Sequence, residues 1–169
     1  MFSQLYEQLK GEDIFKPKSM EDVIQDIISQ PGVTKNEDGS YDVKGDISLG
    51  GLGLTKLLIK FKHVDGDFSC SNNNLTSLEG APIEVSGNFY CFYNKLTTLE
   101  GAPKAVVGDF DCGHNNLTSL EGASEVIGRD FWCDNNKLTT LKGIKVVEGR
   151  ILCSDNPVSE EELLATIGR

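Results

Sequence analysis

A block of 21 residues recurs along this chain of 169 residues and constrains its fold more than any other feature. Fixed periods of about 20 to 50 residues are the sequence signature of solenoids, in which each unit forms one coil and packs on its neighbours. The clearest marker is a cysteine that recurs every 21 residues and finally after 20, at Cys70, Cys91, Cys112, Cys133 and Cys153. The period therefore predicts a solenoid.

Each unit contains the parts of one coil. A phenylalanine lies two residues before most of these cysteines, as in the segment NFYCF, and this alternation predicts a short strand with one buried face. A Gly-Ala-Pro segment then predicts a turn. About five buried apolar side chains, at about 1.5–3 kcal/mol each, do not offset the cost of ordering a unit at about 1–2 kcal/mol per residue, so each coil requires its neighbours. Recurring leucines fill the interior together with a column of valines, expected at Val85, Val106, Val126 and Val146.

An asparagine follows each cysteine by three residues. Neighbouring strands in a stack lie about 4.8 Å apart. A buried asparagine in every coil is therefore expected to hydrogen bond to backbone groups at the bend of its own coil and of the next one. The predicted ladder consists of Asn73, Asn94, Asn115, Asn136 and Asn156.

The segments FSCSNNNL, FYCFYNKL, FDCGHNNL and FWCDNNKL fit the pattern L-x-L-x-x-N-x-L, with Phe for the first Leu and Cys for the second. In these residues the chain resembles the leucine-rich repeat family, closely over residues 68–141 and with degenerate units at 47–57 and 151–158. The resemblance implies an α/β solenoid, a right-handed coil with a parallel β-sheet on its concave face. The segments NLTSLEGAP and DIFKPKS are more narrowly similar to small repeat proteins of tailed bacteriophages and prophages, which implies a protein made inside an infected bacterium.

The ends of a solenoid expose its interior and have to be covered. Residues 1–44 are expected to form a cap of two helices, over SQLYEQLK and over SMEDVIQDIIS with Ser19 as N-cap, followed by a hairpin in VTKNEDGSYDV. Residues 45–158 are the predicted solenoid of about five coils. Residues 159–169 are expected to form a closing helix after Ser159, with Leu163, Leu164 and Ile167 on the last coil. The whole chain is expected to be one domain.

Composition narrows the class of partner and the location. The chain has 16 Lys and Arg against 26 Asp and Glu, a net charge of −10, which opposes direct binding to nucleic acid or anionic lipid and favours a basic partner. The alternative is that an excess of negative charge of this size only keeps the protein soluble. No window approaches the roughly 18 apolar residues of a membrane span, and the start MFSQLYEQLKGED lacks the features of a signal peptide. The expected location is the cytoplasm, that of the host cell for a phage protein.

Five cysteines and two histidines raise the question of metal binding, disulfides or catalysis. All five cysteines occupy inward strand positions, where a free cysteine acts as a small apolar side chain. No C-x-x-C pair is present to begin a zinc site. Neither His63 nor His114 accompanies a credible nucleophile in this fold. The sequence therefore predicts no catalytic residue, no metal ligand and no cofactor.

The residues that flank Phe and Cys are expected to face the open side of the sheet, because side chains alternate along a strand. One group there is a column of Asp and Asn before the strands, which is either an acidic recognition site or turn chemistry at the start of each strand. The other is a set of large aromatic side chains, which either anchor a protein interface or pack on a cap or loop. The predicted partner-binding residues are Asp67, Asn88, Tyr90, Phe92, Asp109, Asp111, Asp130, Trp132 and Asp134.

These residues favour a non-enzymatic protein-binding module over an enzyme. Its concave acidic and aromatic face is expected to bind a host or phage protein that is basic or itself binds nucleic acid, with inhibition of a host defence or enzyme as the most specific outcome. The alternative is a structural or assembly protein that self-associates, or attaches to a virion or larger complex, through its caps. A monomer favours the first hypothesis, whereas a dimer that survives substitution of the open face favours the second.

Overall fold

The structure, a computed structural model, describes residues 19–167. The helix predicted over residues 3–10, and the packing predicted for the side chains of Leu163, Leu164 and Ile167, lie outside the described residues. The described chain is a parallel β-solenoid of about five turns, in which successive turns add short strands to two sheets. The solenoid predicted from the 21-residue period is therefore confirmed.

The first of these sheets, here called the Phe sheet, has six parallel strands of two residues, each beginning with Phe or Ile. The strands are in register, so that Phe89 pairs with Phe68 on one side and with Phe110 on the other. Spatial order follows chain order. The strands are β3 (Ile47–Ser48), β5 (Phe68–Ser69), β7 (Phe89–Tyr90), β9 (Phe110–Asp111), β11 (Phe131–Trp132) and β13 (Ile151–Leu152).

The second sheet, here called the Val sheet, has seven strands. All neighbouring pairs are parallel except the first, an antiparallel hairpin in which Val33 lies opposite Val43. This is the hairpin predicted from VTKNEDGSYDV, and it is confirmed. In spatial order the strands are β1 (Val33–Lys35), β2 (Tyr41–Val43), β4 (Phe61–Val64), β6 (Glu84–Val85), β8 (Ala105–Val106), β10 (Val126–Ile127) and β12 (Val146–Val147).

The α/β class implied by the resemblance is confirmed only as far as a solenoid. The second side of each coil is a strand and not a helix. Within residues 19–167 the helices are α1 (Met20–Ile28), before the first strand, and α2 (Glu160–Ile167), after the last. The connections between strands contain Gly and Pro, as at Gly80, whose φ is +94°, and Pro82. These residues interrupt the chain before a helix of useful length can form.

Columns of identical side chains fill the interior between the two sheets. The rings of Phe68, Phe89, Phe110 and Phe131 are fully buried, and successive centroids lie 5.6, 5.0 and 5.4 Å apart. The five cysteines are free and buried, as predicted for core positions. Burial raises the pKa of the Cys70 thiol to about 12, so this thiol is neutral at physiological pH and acts as an apolar group.

The valine column was predicted correctly in two coils and wrongly in the next two. Val85 and Val106 are buried, but Val126 is 41% exposed and Val146 is 51% exposed. The buried position in the third of these coils belongs to Ile127, which pairs with Val106. The register follows the 21-residue step and not the identity of the residue, because Ile fills an apolar site as well as Val does.

The asparagine ladder is confirmed, and Asn115 shows its geometry. Nδ2 of Asn115 donates to the carbonyl oxygens of Cys112 in its own coil and Cys91 in the preceding coil, at 3.1 Å each. Its Oδ1 accepts from the backbone N–H of Leu96 at 3.0 Å. The bonds therefore reach the preceding coil, not the next one as expected. Equivalent bonds are made by Asn73, Asn94, Asn136 and Asn156.

Helix α1 begins with the predicted N-cap. The backbone N–H of Asp22 donates to Oγ of Ser19 at 3.1 Å, and the backbone N–H of Ser19 donates to a carboxylate oxygen of Asp22 at 3.1 Å. This reciprocal pair is a capping box. Met20, Val23 and Ile24 of the helix pack against the core. At the other end, Oγ of Ser159 accepts from the backbone N–H of Glu162 at 3.3 Å, so α2 begins where it was predicted.

Candidate functional site

The candidate site lies on the outward side of the Phe sheet. In each strand the first residue is directed into the core and the second outward, as the alternation predicted. Pairing in register makes one outward column across the sheet. The side chains of that column are small at its start and become larger or charged in the later coils. In order they are Ser48, Ser69, Tyr90, Asp111, Trp132 and Leu152.

Four aromatic rings form a connected cluster beside this column. The Tyr90 and Phe92 rings meet edge to face at 6.2 Å, and the Phe92 and Tyr93 rings do so at 5.8 Å. The Tyr93 ring then stacks on the His114 ring, with centroids 4.1 Å apart and planes 13° from parallel. The sequence predicted Tyr90 and Phe92 as binding residues. It missed Tyr93 and His114.

Tyr93 and His114 reach the cluster because the backbone changes conformation at their positions. Both have left-handed backbone conformations, with φ of +52° for Tyr93 and +53° for His114. The position before the ladder asparagine has this conformation in every such coil, and the other coils carry Asn or Asp there, at Asn72, Asn135 and Asp155. Asn and Asp tolerate left-handed φ, whereas a bulky residue such as Tyr is an outlier. The strand alternation that predicts Tyr90 and Phe92 therefore does not extend to the positions of Tyr93 and His114.

A groove of about 410 Å³ opens between these rings and the next coils. Gly113 forms part of its lining, and two carboxylates lie close to the space that a side chain there would occupy. Oδ1 of Asp111 and Oδ1 of Asp134 each lie 3.2 Å from the point where a Gly113 side chain would begin. The groove is lined by Phe92, Tyr93, Asp111, Gly113, His114, Trp132, Asp134, Leu152 and Ser154. It thus unites four predicted site residues, Phe92, Asp111, Trp132 and Asp134.

The electrostatic character of the groove is acidic. Burial raises the pKa of the Asp111 carboxyl, the hydrogen bond from the Gly113 N–H at 2.9 Å opposes that rise, and the nearby Asp134 adds to it. Nε2 of His114 lies 3.9 Å from Oδ2 of Asp134. Burial also raises the pKa of the neighbouring Tyr90 hydroxyl, as do the surrounding carboxylates. Among the described residues that line the groove there is no Lys or Arg.

The predicted column of Asp and Asn serves the fold. Each member accepts a hydrogen bond at Oδ1 from the backbone N–H of its counterpart in the next coil. The distances are 2.7 Å from Asn88 to Asp67, 2.8 Å from Asp109 to Asn88 and 3.0 Å from Asp130 to Asp109. Asp130 in turn accepts from the N–H of Arg150 at 2.8 Å and pairs with its guanidinium. This geometry supports the turn-chemistry interpretation, because one side-chain oxygen of each residue accepts a hydrogen bond from the next coil.

The other histidine of the chain, His63, does not lie at the groove. His63 lies on the Val sheet, where its Nδ1 is 2.9 Å from Oδ1 of Asp42. Within residues 19–167, no group of three or more His, Cys, Asp or Glu side chains is placed to hold a metal ion. Over the same residues no helix has the length and apolar character needed to cross a membrane.

Comparison with models of protein families, with curated proteins and with solved structures found no match to this chain.

Proposed function

We propose that this protein is a non-enzymatic binding module that recognises another protein through the groove and aromatic cluster of the Phe sheet. The observation that supports this proposal is the exposure of large rings at positions where other coils carry small polar residues. Tyr93 is 50% exposed and Trp132 is 37% exposed. The corresponding positions carry Asn72 one coil before Tyr93 and Ser69 three coils before Trp132. Trp and Tyr with this exposure are the usual anchors of protein interfaces.

The alternative interpretation of the aromatic residues, packing on a cap or loop, is less well supported. Rings that pack against the same chain would be covered by it, and the Trp132 ring remains accessible. Its strand neighbours are Asp111 on one side and Leu152 on the other. The groove also spans the last four coils, away from α1 at the other end of the stack.

The finer features of the resemblance are part of this proposal. The Phe sheet would be the concave face of a right-handed coil, and α1 with the hairpin, and α2, would be its caps. The likeness to small phage and prophage proteins extends the proposal to a host or phage protein as partner, in the host cytoplasm, and to inhibition of a host defence or enzyme as the result. The protein acts as a monomer in this proposal.

The test is affinity capture from bacterial lysate with three forms of the protein. The first is unchanged, and the second carries Tyr90→Ser, Phe92→Ser and Trp132→Ser. Serine is the residue that an earlier coil carries at the equivalent positions, Ser69 and Ser71, so the fold should tolerate it. The third is a control with Ile83→Ser, Val126→Ser and Val146→Ser, which removes three exposed apolar side chains elsewhere.

We expect to find a protein that binds both the unchanged form and the control form. The triple variant of Tyr90, Phe92 and Trp132, here called the face variant, should no longer capture it. That protein is then purified and its affinity measured directly, with an expected loss of at least about tenfold for the face variant, the typical effect of removing interface anchors. Equal retention by all three forms would refute binding through the Phe sheet.

A second candidate function, assembly of several copies, is favoured by one observation. On the outward side of the Val sheet Val126 pairs with Val146 and with Ala105, and both valines are largely exposed. Exposed apolar columns of this kind also mark contacts between subunits. Light scattering tests it. A dimer that becomes a monomer on Val126→Ser with Val146→Ser supports assembly, whereas a monomer at micromolar concentrations contradicts it.

A further inference from the structure

The groove combines flat aromatic surfaces with negative charge. Trp132 and Tyr93 expose their rings, and the carboxylates of Asp111 and Asp134 converge at Gly113. The face of an aromatic ring attracts cations through its quadrupole, and the two carboxylates attract the same charge. Both features therefore select a positively charged ligand.

The geometry of the rings favours a planar cation. Tyr93 and His114 stack face to face with their planes within 13° of parallel, so each ring covers one face of the other and the pair offers its outer faces to a flat ligand. A guanidinium group is planar, stacks on aromatic faces and donates two hydrogen bonds to one carboxylate. An ammonium group is compact and more strongly hydrated. These properties favour arginine over lysine as the group that enters the groove.

Asp111 supplies an acceptor for such a ligand. Its Oδ1 accepts from the Gly113 N–H at 2.9 Å, while across residues 19–167 no group donates to its Oδ2. The side chain is half-buried, and a carboxylate in such a site interacts with a cation more strongly than one in open water does. Asp111 is thus prepared for a charged partner that the chain itself does not provide.

The conformation of Tyr93 is a second, independent indication that this surface serves recognition. The backbone there is left-handed, which costs a bulky residue of the L configuration free energy. The other coils carry Asn or Asp in the same place. Strain of this kind is typically retained where function requires the side chain.

We infer that the groove is a receptor for an arginine side chain of a basic protein segment. The guanidinium stacks between the Trp132 ring and an outer face of the Tyr93–His114 pair, and it donates to the carboxylates of Asp111 and Asp134. This inference rests on the proposed function and specifies the partner by its chemistry.

Trp132 makes a direct test simple, because it is the only tryptophan of the chain. The probe is an acetylated and amidated octapeptide of Gly and Ser that carries two arginines. Matched probes replace arginine by lysine, by trimethyllysine, or by citrulline, which has nearly the shape of arginine without its charge. Trp132 fluorescence is followed as each peptide is added.

The expected result is a saturable change with the arginine peptide and an affinity at least about tenfold lower for the citrulline peptide, since the charge pairing is lost. Lysine should bind more weakly than arginine. Equal binding of the citrulline and arginine peptides would overturn the inference. So would tighter binding of lysine or trimethyllysine, or no change with the arginine peptide at millimolar concentration.

Two variants locate the effect. Asp111→Asn with Asp134→Asn should lower the affinity for the arginine peptide at least about tenfold. The control, Glu79→Gln with Glu100→Gln, removes the same charge at exposed positions outside the groove. It should change that affinity less than about twofold. Tyr93→Asn with His114→Asn removes the stacked surface but introduces the residue of neighbouring coils. It should fold and lose most of the affinity. Retained affinity in both groove variants would refute the assignment.

The same variants separate this inference from the proposed function. If the captured partner is lost on Trp132→Ser but bound normally by Asp111→Asn with Asp134→Asn, the Phe sheet is the binding face and the arginine inference is wrong. If the partner is retained by every variant of the Phe sheet, the proposed function itself is wrong.

Discussion

The ring of Tyr93 lies on the ring of His114 at a centroid distance of 4.1 Å, although the two residues are 21 positions apart in the chain. The pair exists because two equivalent positions in adjacent coils share a left-handed backbone and therefore direct their side chains the same way. The left-handed backbone that recurs in every such coil thus also positions the two stacked rings on the surface.

This relationship predicts different outcomes for two substitutions of Tyr93. Tyr93→Ala loses the stacking and keeps an unfavourable backbone conformation, whereas Tyr93→Asn loses the stacking but relieves the strain. We expect the Asn variant to be more stable than the Ala variant by about 1 kcal/mol, the approximate cost of left-handed φ for an ordinary residue. Urea unfolding measures the difference. Equal stability of the two variants would contradict the strain at this position.

The asparagine ladder predicts a stability loss that depends on position in the stack. Asn115→Ala leaves the buried N–H of Leu96 unpaired, which costs about 1–3 kcal/mol. It also removes one hydrogen bond each from the carbonyls of Cys91 and Cys112, at about 0.5–1.5 kcal/mol per bond, although Asn94 and Asn136 still donate to them. A total loss of about 3 kcal/mol or more is therefore expected. Asn156 is only partly buried, so Asn156→Ala should cost clearly less. A larger effect at Asn156 in chemical denaturation would be evidence against this account.

The raised pKa of Asp111 predicts that this carboxylate destabilises the fold at neutral pH. Burial disfavours its charged form in the native state, so the unfolded chain binds fewer protons between the ordinary pKa of 3.8 and the higher native value. The contribution of Asp111 to the free energy of unfolding is therefore fully present below pH 3.8. It is lost as the pH rises through the pKa of Asp111 in the folded protein.

Asp111→Asn should accordingly raise the Tm at pH 7 and match the unchanged protein below pH 3.8. Thermal unfolding followed by circular dichroism from pH 3 to pH 8 checks this, with Glu79→Gln as the control for loss of one negative charge. A lower Tm for Asp111→Asn at pH 7 would show that the carboxylate stabilises the free protein, contrary to this expectation.

The cysteines differ in predicted reactivity. Cys70, Cys91, Cys112 and Cys133 have no exposed surface, whereas Cys153, at the end of the column, is 8% exposed. A hydrogen bond from the thiol of Cys133 lowers the pKa of Cys153, which increases its fraction of reactive thiolate. Iodoacetamide under native conditions should therefore modify Cys153 first, as mass spectrometry of timed samples will show. Faster modification of Cys112 would indicate that the stack opens in its middle.

Much of the framework was predictable, because every coil repeats it. The Phe, Cys and Asn columns follow from the 21-residue period together with the alternation of a strand, and Ser19 followed by Asp22 indicates the start of α1. The second sheet was not predicted, since its two-residue strands, such as Glu84–Val85, are too short to leave an alternating pattern. Val126 was assigned to the interior on residue identity, where strict spacing would have indicated Ile127.

The site was predictable only in part. Tyr90, Phe92, Asp111, Trp132 and Asp134 follow from strand alternation, but the left-handed turn that positions Tyr93 and His114 is a backbone feature. Its signal was nevertheless present. The position before the ladder asparagine carries Asn or Asp in the other coils, at Asn72, Asn135 and Asp155, and these are the residues that favour such a turn.

The hydrogen bonds of the asparagine ladder connect each coil only to its neighbour, with the same donors and acceptors at every step. A coil can therefore be duplicated or removed as a whole without leaving a bond unmade, because the coils on either side present matching ends to one another. Each added unit lengthens the Phe sheet by a single strand spacing, so the area of its outward side is set by the number of repeats.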